Sequence, residues 1–406
     1  MTPVETAVRD EWGRLLALLV AQYRRLDLAE DGLADAVESA ARTWPALAAG
    51  APENPAAWLL TAARRRVVDR LRRETVAAKA LPLLAVDAPL VDPGEFADPL
   101  DLADERLRLV LLCAHPSLRA EAAAALTLRM VLGVSTEDLA RLFLVRTSTM
   151  AARLTRARKS LAEESFTVPE GDELLDRVSV VADVAYLAFT AGYTAGSGPD
   201  LLRADVSAEA IRLVRVLRDV VPRTPSELDA LLALMLLQHS RRDARQVDGR
   251  LVLLPDQDRV RWHQDEIAEA LGILEPYVHA PPAPYLLQAL IAAEHAIARS
   301  AADTDWGRIV TRYDELLALA DSPVVRLNRA VAIAESDGPL AGLAALAESR
   351  APGHRYDGVR AELLARAGLV DEAMAAYDDA LAACGNEAER THLQGRRDRL
   401  TRAVPR

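Results

Sequence analysis

Apolar residues recur at helical spacing along most of the chain. Leu15, Leu16, Leu19 and Tyr23 make one stripe and Leu33, Val37 and Ala41 a second, predicting two helices over residues 5–48. The first is expected to end near Leu26–Asp27, with Asp27 capping the next. Pro45, Gly50, Pro52 and Pro55 deny continuation, and a third helix is predicted from about Ala56 to Lys79. Residues 80–100 hold Pro82, Pro89, Pro93 and Pro99 with Gly94, a linker composition. Helices resume at Asp101. The helix Ala120–Leu132 stops at Gly133, and Ser135 with Asp138 forms a capping-box pattern for a helix ending near Phe143. After a short turn, Thr147 or Ser148 caps a last helix running to about Glu163. Residues 166–172 read as a second linker.

Beyond that point the pattern stays helical, interrupted by a short hairpin at Val247–Leu254 and a break at Pro281, Pro282 and Pro284. Gly368, Ala373, Tyr377 and Ala380 carry the small–small–aromatic–small spacing of a tetratricopeptide helix pair, with a fainter copy around Tyr313. Aromatics are only 4% of the 406 residues, a bias against strands, so the expected fold class is all-α. The expected domains are 1–79, 101–165 and 173–406. Cys113 and Cys384 are too few and too far apart for a disulfide framework or a thiolate-rich metal site. No apolar run reaches membrane-span length and no signal-peptide core is visible, so a cytoplasmic location is expected, with no membrane partner.

Charge changes the picture locally. The net charge is -11, yet two stretches are strongly basic, and all but Lys79 and Lys159 of the 49 basic residues are arginine. Between Ala57 and Arg73 lie Arg64, Arg65, Arg66, Arg70, Arg72 and Arg73 against one acid, Asp69. Between Leu139 and Lys159 there are six basic residues and no acid. The second island falls on a helix-turn-helix pattern. Small and polar Ser148 and Thr149 open its second helix, suited to close entry into a major groove. That helix bears Arg153, Arg156, Arg158 and Lys159, which with Arg146 in the turn are placed to reach bases or phosphates. In the first island Trp58, Leu59, Val67, Val68 and Leu71 face a core, leaving arginines over most of the remaining surface. Such a face calls for an anionic partner.

With these motifs in place, residues 1–165 resemble extracytoplasmic-function sigma factors of bacterial RNA polymerase. The stretch from Leu28-Ala29-Glu30-Asp31 to Trp44-Pro45 is similar to the helix that docks on the polymerase clamp. This implies docking by Asp31, Leu33, Asp35 and Val37. The stretch Glu53-Asn54-Pro55 through Arg66 is similar to the loop and helix that melt and read the minus-ten element. This implies DNA contacts from Asn54, Trp58, Arg64, Arg65, Arg66, Arg72 and Arg73. His115-Pro116-Ser117-Leu118, Ala125–Arg129 and Thr149–Leu154 are similar to the domain that reads the minus-thirty-five element. Ala185-Tyr186-Leu187, Leu202–Asp205, Pro255–Arg259 and Ser300–Trp306 resemble the subgroup with a tetratricopeptide-type extension. The chain departs from the family pattern at Ala34, Asp35 and Val37, at Arg146-Thr147 and at Thr190-Ala191. The resemblance implies a transcription initiation factor that is not an enzyme and needs no cofactor or metal. Its partners are core RNA polymerase and promoter DNA, with room for a regulatory protein or peptide at the C-terminal repeats, which regulate or support the front half.

Two other readings compete. A carboxylate site around Asp256 and Asp258, with Asp248 nearby, would suit a hard cation and an enzyme, although such acids before Arg259 and Arg261 are more often paired at a turn. Alternatively the helical repeats form a peptide- or protein-binding scaffold. The histidines show no paired spacing typical of zinc.

Overall fold

The first helix begins where local chemistry requires it. Thr2 and Glu5 form a reciprocal capping box, Pro3 occupies the first helical position, and α1 (Pro3–Tyr23) ends on Arg24 in the left-handed conformation. Asp27 does not cap α2 (Leu26–Thr43), as the sequence suggested; it lies inside the first turn and receives two hydrogen bonds from Arg25. After a 3₁₀ turn at Trp44–Ala46, Asn54 caps α3 (Pro55–Ala77) by accepting from the Ala57 amide at 3.0 Å.

This computed structural model describes residues 2–47, 50–77, 99–143, 145–161, 169–193, 204–247, 250–348, 353–385 and 387–403. Most of the expected linker 80–100 and residues 166–168 of the second lie outside the described residues, as do Leu202-Arg203 and the Asp248-Gly249 turn. The described residues form two compact units, 1–188 with 212–223, and 189–211 with 224–406.

In the first unit Leu15, Leu16 and Leu19 of α1, Leu33 and Ala36 of α2, and Leu59, Ala63 and Val67 of α3 are fully buried together. Each large apolar side chain removed from water contributes about 1.5–3 kcal/mol. Next come α4 (Pro99–Cys113), α5 (Ala120–Leu132), α6 (Thr136–Leu142) and α7 (Thr147–Leu161). The expected domains 1–79 and 101–165 therefore share one unit, because α1 packs on α4 and α5 as well as on α2 and α3. Two glycines permit that approach. A Cβ on Gly13 would strike the Val131 carbonyl. One on Gly133, whose φ is +72°, would meet the Trp12 ring at 2.8 Å. The front of α8 (Gly171–Tyr193) also belongs here: Val184 packs on Ala123 and Ala124, and Arg177 donates to the Leu111 carbonyl at 2.9 Å. So does the rear of α9 (Ala204–Val220).

In the second unit α10 (Ser226–His239) is buried on nearly every side from Leu228 to Leu237, as expected of a helix apolar all round. A short antiparallel pairing of Gln246–Val247 with Arg250–Leu251 stands at the start of the expected hairpin, while Val252, Leu253 and Leu254 lie outside the strands. There follow α11 (Gln264–Leu274), α12 (Pro284–Ile297), α13 (Trp306–Leu319), α14 (Pro323–Asp337), α15 (Pro339–Ala347), α16 (His354–Arg366), α17 (Val370–Ala383) and α18 (Glu387–Ala403). From α12 onward each helix packs on the next. The repeat signature runs from Gly368, in the turn after α16, along α17, where Ala373, Ala376 and Tyr377 pack on Ala361 and Leu364 of α16, and the Tyr377 hydroxyl donates to Glu362 at 2.9 Å. The described residues are helical apart from that short pairing, with a unit that carries the helix-turn-helix and a unit whose later helices form a sequential, repeat-like array.

Candidate nucleic-acid interface

The helix-turn-helix is built from local signals. Ser135 Oγ accepts from the Asp138 amide at 3.0 Å and donates to the Asp138 carboxylate at 2.6 Å, starting α6. The Arg146 carbonyl accepts from the Met150 amide, so α7 begins on Thr147 with Arg146 just outside it. Met150, Leu154, Ala157 and Leu161 form the buried stripe of α7. Arg146, Thr147, Ser148, Thr149, Ala151, Ala152, Thr155, Arg156 and Lys159 are exposed. Small and polar residues therefore fill the first turns of the exposed face, with Arg146 just before them and Arg156 and Lys159 behind, a shape and charge that suit a groove of duplex DNA.

The candidate readers on α7 divide. Arg156 is exposed, and its Nε donates to the Ala152 carbonyl at 3.2 Å, along its own helix. Arg153 lies over the Phe143 ring and 3.8 Å from Glu121, with only 22% of its side chain exposed. The two arginines share a helix but not a surrounding. Arg158 turns away from the groove face: its Nη1 donates to Glu30 of α2 at 2.6 Å. Arg129 of α5 donates to the other oxygen of Glu30 at 2.7 Å and lies over the Trp12 ring. Glu30, 4% exposed, thus joins α2 to both α5 and α7.

On α3, Arg65, Arg66, Arg72 and Arg73 are exposed and have no ion-pair partner among the described residues. Arg64 is half-buried with its Nε unpaired, and leans toward α1, where its charge opposes the upward push of burial on the Tyr23 phenol. Arg70 is accounted for from outside its own helix, donating to Asp31 and, at 3.0 Å, to Asp35. Trp58, expected in the core, is half-buried and meets Trp44 edge-on at 5.6 Å, at the mouth of the loop ending in Pro55. Asn54 is exposed, with its side-chain oxygen spent on capping.

The expected clamp-docking set needs one correction. Leu33 is fully buried against the neighbouring helices and offers nothing to a partner. Asp31, Asp35 and Val37 remain at least partly accessible, the two acids bridged by Arg70.

The second unit holds a polar cluster that spacing did not reveal. His239 Nδ1 and Arg242 Nη1 both contact the Glu266 carboxylate at 2.9–3.0 Å, and His263 spans Arg242 and Asp243. Burial pushes the Glu266 carboxyl up, but the His239 hydrogen bond and the charges of His239 and Arg242 outweigh it and hold it below the usual range. Each acid has its counter-group, so the cluster clasps the end of α10 to the start of α11. Asp258 accepts from the Val260 amide through Oδ1 and caps a 3₁₀ turn. Asp256 instead lines a groove of about 850 Å³ with Arg390, His392, Arg396 and Arg399 of α18. Among the described residues no helix is long and apolar enough to cross a membrane.

Residues 108–161 match Sigma-70, region 4, covering α5, α6 and α7, so the chain carries a domain of that type. Residues 177–277 match a family of unknown function, DUF6596. The Uncharacterized protein R00370 of Rhizobium meliloti (strain 1021) is 40% identical over 396 residues, 95% of this chain and 93% of that protein. A solved structure, the yeast Tom70, aligns over 92% of this chain and 80% of its own at 10% identity, with a TM-score of 0.34.

Proposed function

The chain belongs to the family of that rhizobial protein, and we propose that it is a sigma-type transcription initiation factor of the extracytoplasmic-function class with a helical-repeat extension. The observation that carries this reading is α7: an exposed, acid-free, small-to-basic face on the second helix of a helix-turn-helix, inside a Sigma-70 region 4 match. The free arginines of α3 support a second DNA contact, at the strand that must be opened. Core RNA polymerase performs the chemistry; this chain contributes no catalytic residue and works in the cytosol, where polymerase and promoter are.

In this reading Arg146, Ser148, Thr149, Arg156 and Lys159 meet the upstream element, with Arg153 braced behind them. Arg65, Arg66, Arg72 and Arg73 meet the downstream one, beside Trp58 and Asn54. The accessible edge of α2 at Asp31, Asp35 and Val37 meets the polymerase. The contacts of α8 with α4 and α5 support direct coupling between the extension and the promoter-reading helices. The arginine-lined groove on α18 supports an acidic peptide or protein segment as a regulatory ligand of the repeats. Run-off transcription with purified chain, core polymerase and a library of candidate promoters tests the proposal. Specific transcripts dependent on the chain are expected. Their absence, with the chain bound neither to polymerase nor to DNA, overturns it.

A further inference from the structure

We propose that His354, Cys384 and Glu389 form a zinc site at the C-terminal end of the helical array. His354 is the first residue of α16, Cys384 ends α17 and Glu389 lies in the first turn of α18. A ring nitrogen, the thiol sulfur and a carboxylate oxygen of these three residues all lie within 4.8 Å of one another. Imidazole, thiolate and carboxylate are the ligand types zinc takes. Bonds of about 2.0–2.3 Å in a tetrahedral arrangement set donors about 3.3–3.8 Å apart; the three donors all lie within 4.8 Å, and the His354 and Glu389 donors, 2.6 Å apart, must part by about 1 Å to admit the ion. It is the one group of this kind among the described residues.

The surroundings hold the three side chains in place. His354 Nε2 and Glu389 Oε2 are 2.6 Å apart, while Arg355 donates to the other oxygen, Oε1, at 3.2 Å. The carboxylate is thus held by its outer oxygen with its inner one turned to the imidazole, as outer partners orient ligating carboxylates. Cys384 is 1% exposed. Its backbone carbonyl accepts from Arg390, which fixes the turn that carries the sulfur. On binding, the ion takes the place of the hydrogen between His354 and Glu389: the imidazole proton moves to Nδ1 and the Cys384 thiol proton passes to solvent. One thiolate and one carboxylate then balance the two charges of the ion. His354 and Glu389 are partly accessible, which gives the ion an entry path and leaves the fourth position to water. The site ties together the starts of α16 and α18 and the end of α17, so occupancy locks the last three helices of the array.

The test uses the full chain, stripped with a chelator and titrated with cobalt and then zinc. Expected are one zinc per chain and a thiolate-to-cobalt charge-transfer band that zinc abolishes. Cys384→Ser should lose the band, while His354→Gln and Glu389→Gln should weaken cobalt binding at least about tenfold. Cys113→Ser should behave as wild type, because burial and the nearby Glu30 charge push the Cys113 thiol well above its usual range. Wild-type protein that takes up no zinc overturns the site. So does a band lost equally in Cys113→Ser, or retained at full affinity in both the His354 and the Glu389 variants.

Discussion

Glu30 accepts a 2.6 Å hydrogen bond from Arg158, linking the second turn of α2 to the last turns of α7 across 128 positions of sequence. Arg129 occupies the second oxygen, so one buried carboxylate balances two guanidiniums. Breaking such a pair from the carboxylate side strands two partly buried cations, whereas removing one arginine leaves the other in place. Glu30→Gln should lower the unfolding free energy by about 3 kcal/mol, and Arg158→Ala by only about 1 kcal/mol. Urea unfolding read through tryptophan fluorescence checks this, since Trp12 lies against Arg129. Equal losses in the two variants would show that Glu30 does not act as the shared anchor.

On α7 the two candidate arginines should separate in a binding experiment. Arg156 is exposed, while Arg153 is held by Phe143 and Glu121. Arg156→Ala should cost about 1–3 kcal/mol of promoter affinity if it reads a base, and Lys159→Ala should reduce the salt slope by about one. Arg153→Ala should act less on affinity and more on stability. Titration of labelled promoter DNA at several salt concentrations distinguishes them, and a larger affinity loss for Arg153→Ala would reverse the roles assigned here.

What the sequence made legible follows from range. Gly133, Ser135 and Asp138 act within a few residues of themselves, and the helix-turn-helix they delimit stands where the pattern placed it. Leu33 fitted both a core stripe and a docking surface, and only the neighbours of α2 decide that it is core. Arg70 read as one more uncompensated cation because its acids, Asp31 and Asp35, sit on another helix. The Glu30 junction, and the approach of His354 to Cys384 and Glu389, bring together residues from different helices, which spacing rules do not register.

Two glycines offer a paired test of the packing argument. Gly133 combines a positive φ with contact against Trp12, so Gly133→Ala should destabilise the protein by about 2 kcal/mol or more. Gly272 lies within α11 with open space around its Cβ position. There the same change should stabilise by about 0.5–1 kcal/mol. Thermal unfolding of the two variants measures both signs, and destabilisation at Gly272 would mean that its surroundings are tighter than the geometry allows.

Acid sensitivity of the second unit should trace in part to His295 on α12. Burial, then the charges of Arg241 and Arg259, lower its imidazole from the ordinary 6.5 to about 4. The ring meets Trp306 edge-on at 5.2 Å and stays neutral in the folded protein at pH 7. Between pH 6.5 and 4 the unfolded chain therefore binds a proton that the folded one refuses, and stability falls as pH falls through that window. Below about pH 4 both states are protonated and the loss is complete, at roughly 3 kcal/mol. Glu266 and Asp243, whose pKa values are lowered, also lose stability in acid, but equally in wild type and variant. His295→Phe keeps a ring against Trp306 and has nothing to protonate. The variant's unfolding free energy should gain on wild type by up to about 3 kcal/mol as pH drops from 7 to 4. Parallel urea titrations across that range measure the difference, and curves that stay parallel would show that His295 is protonated as readily in the folded chain as in the unfolded one.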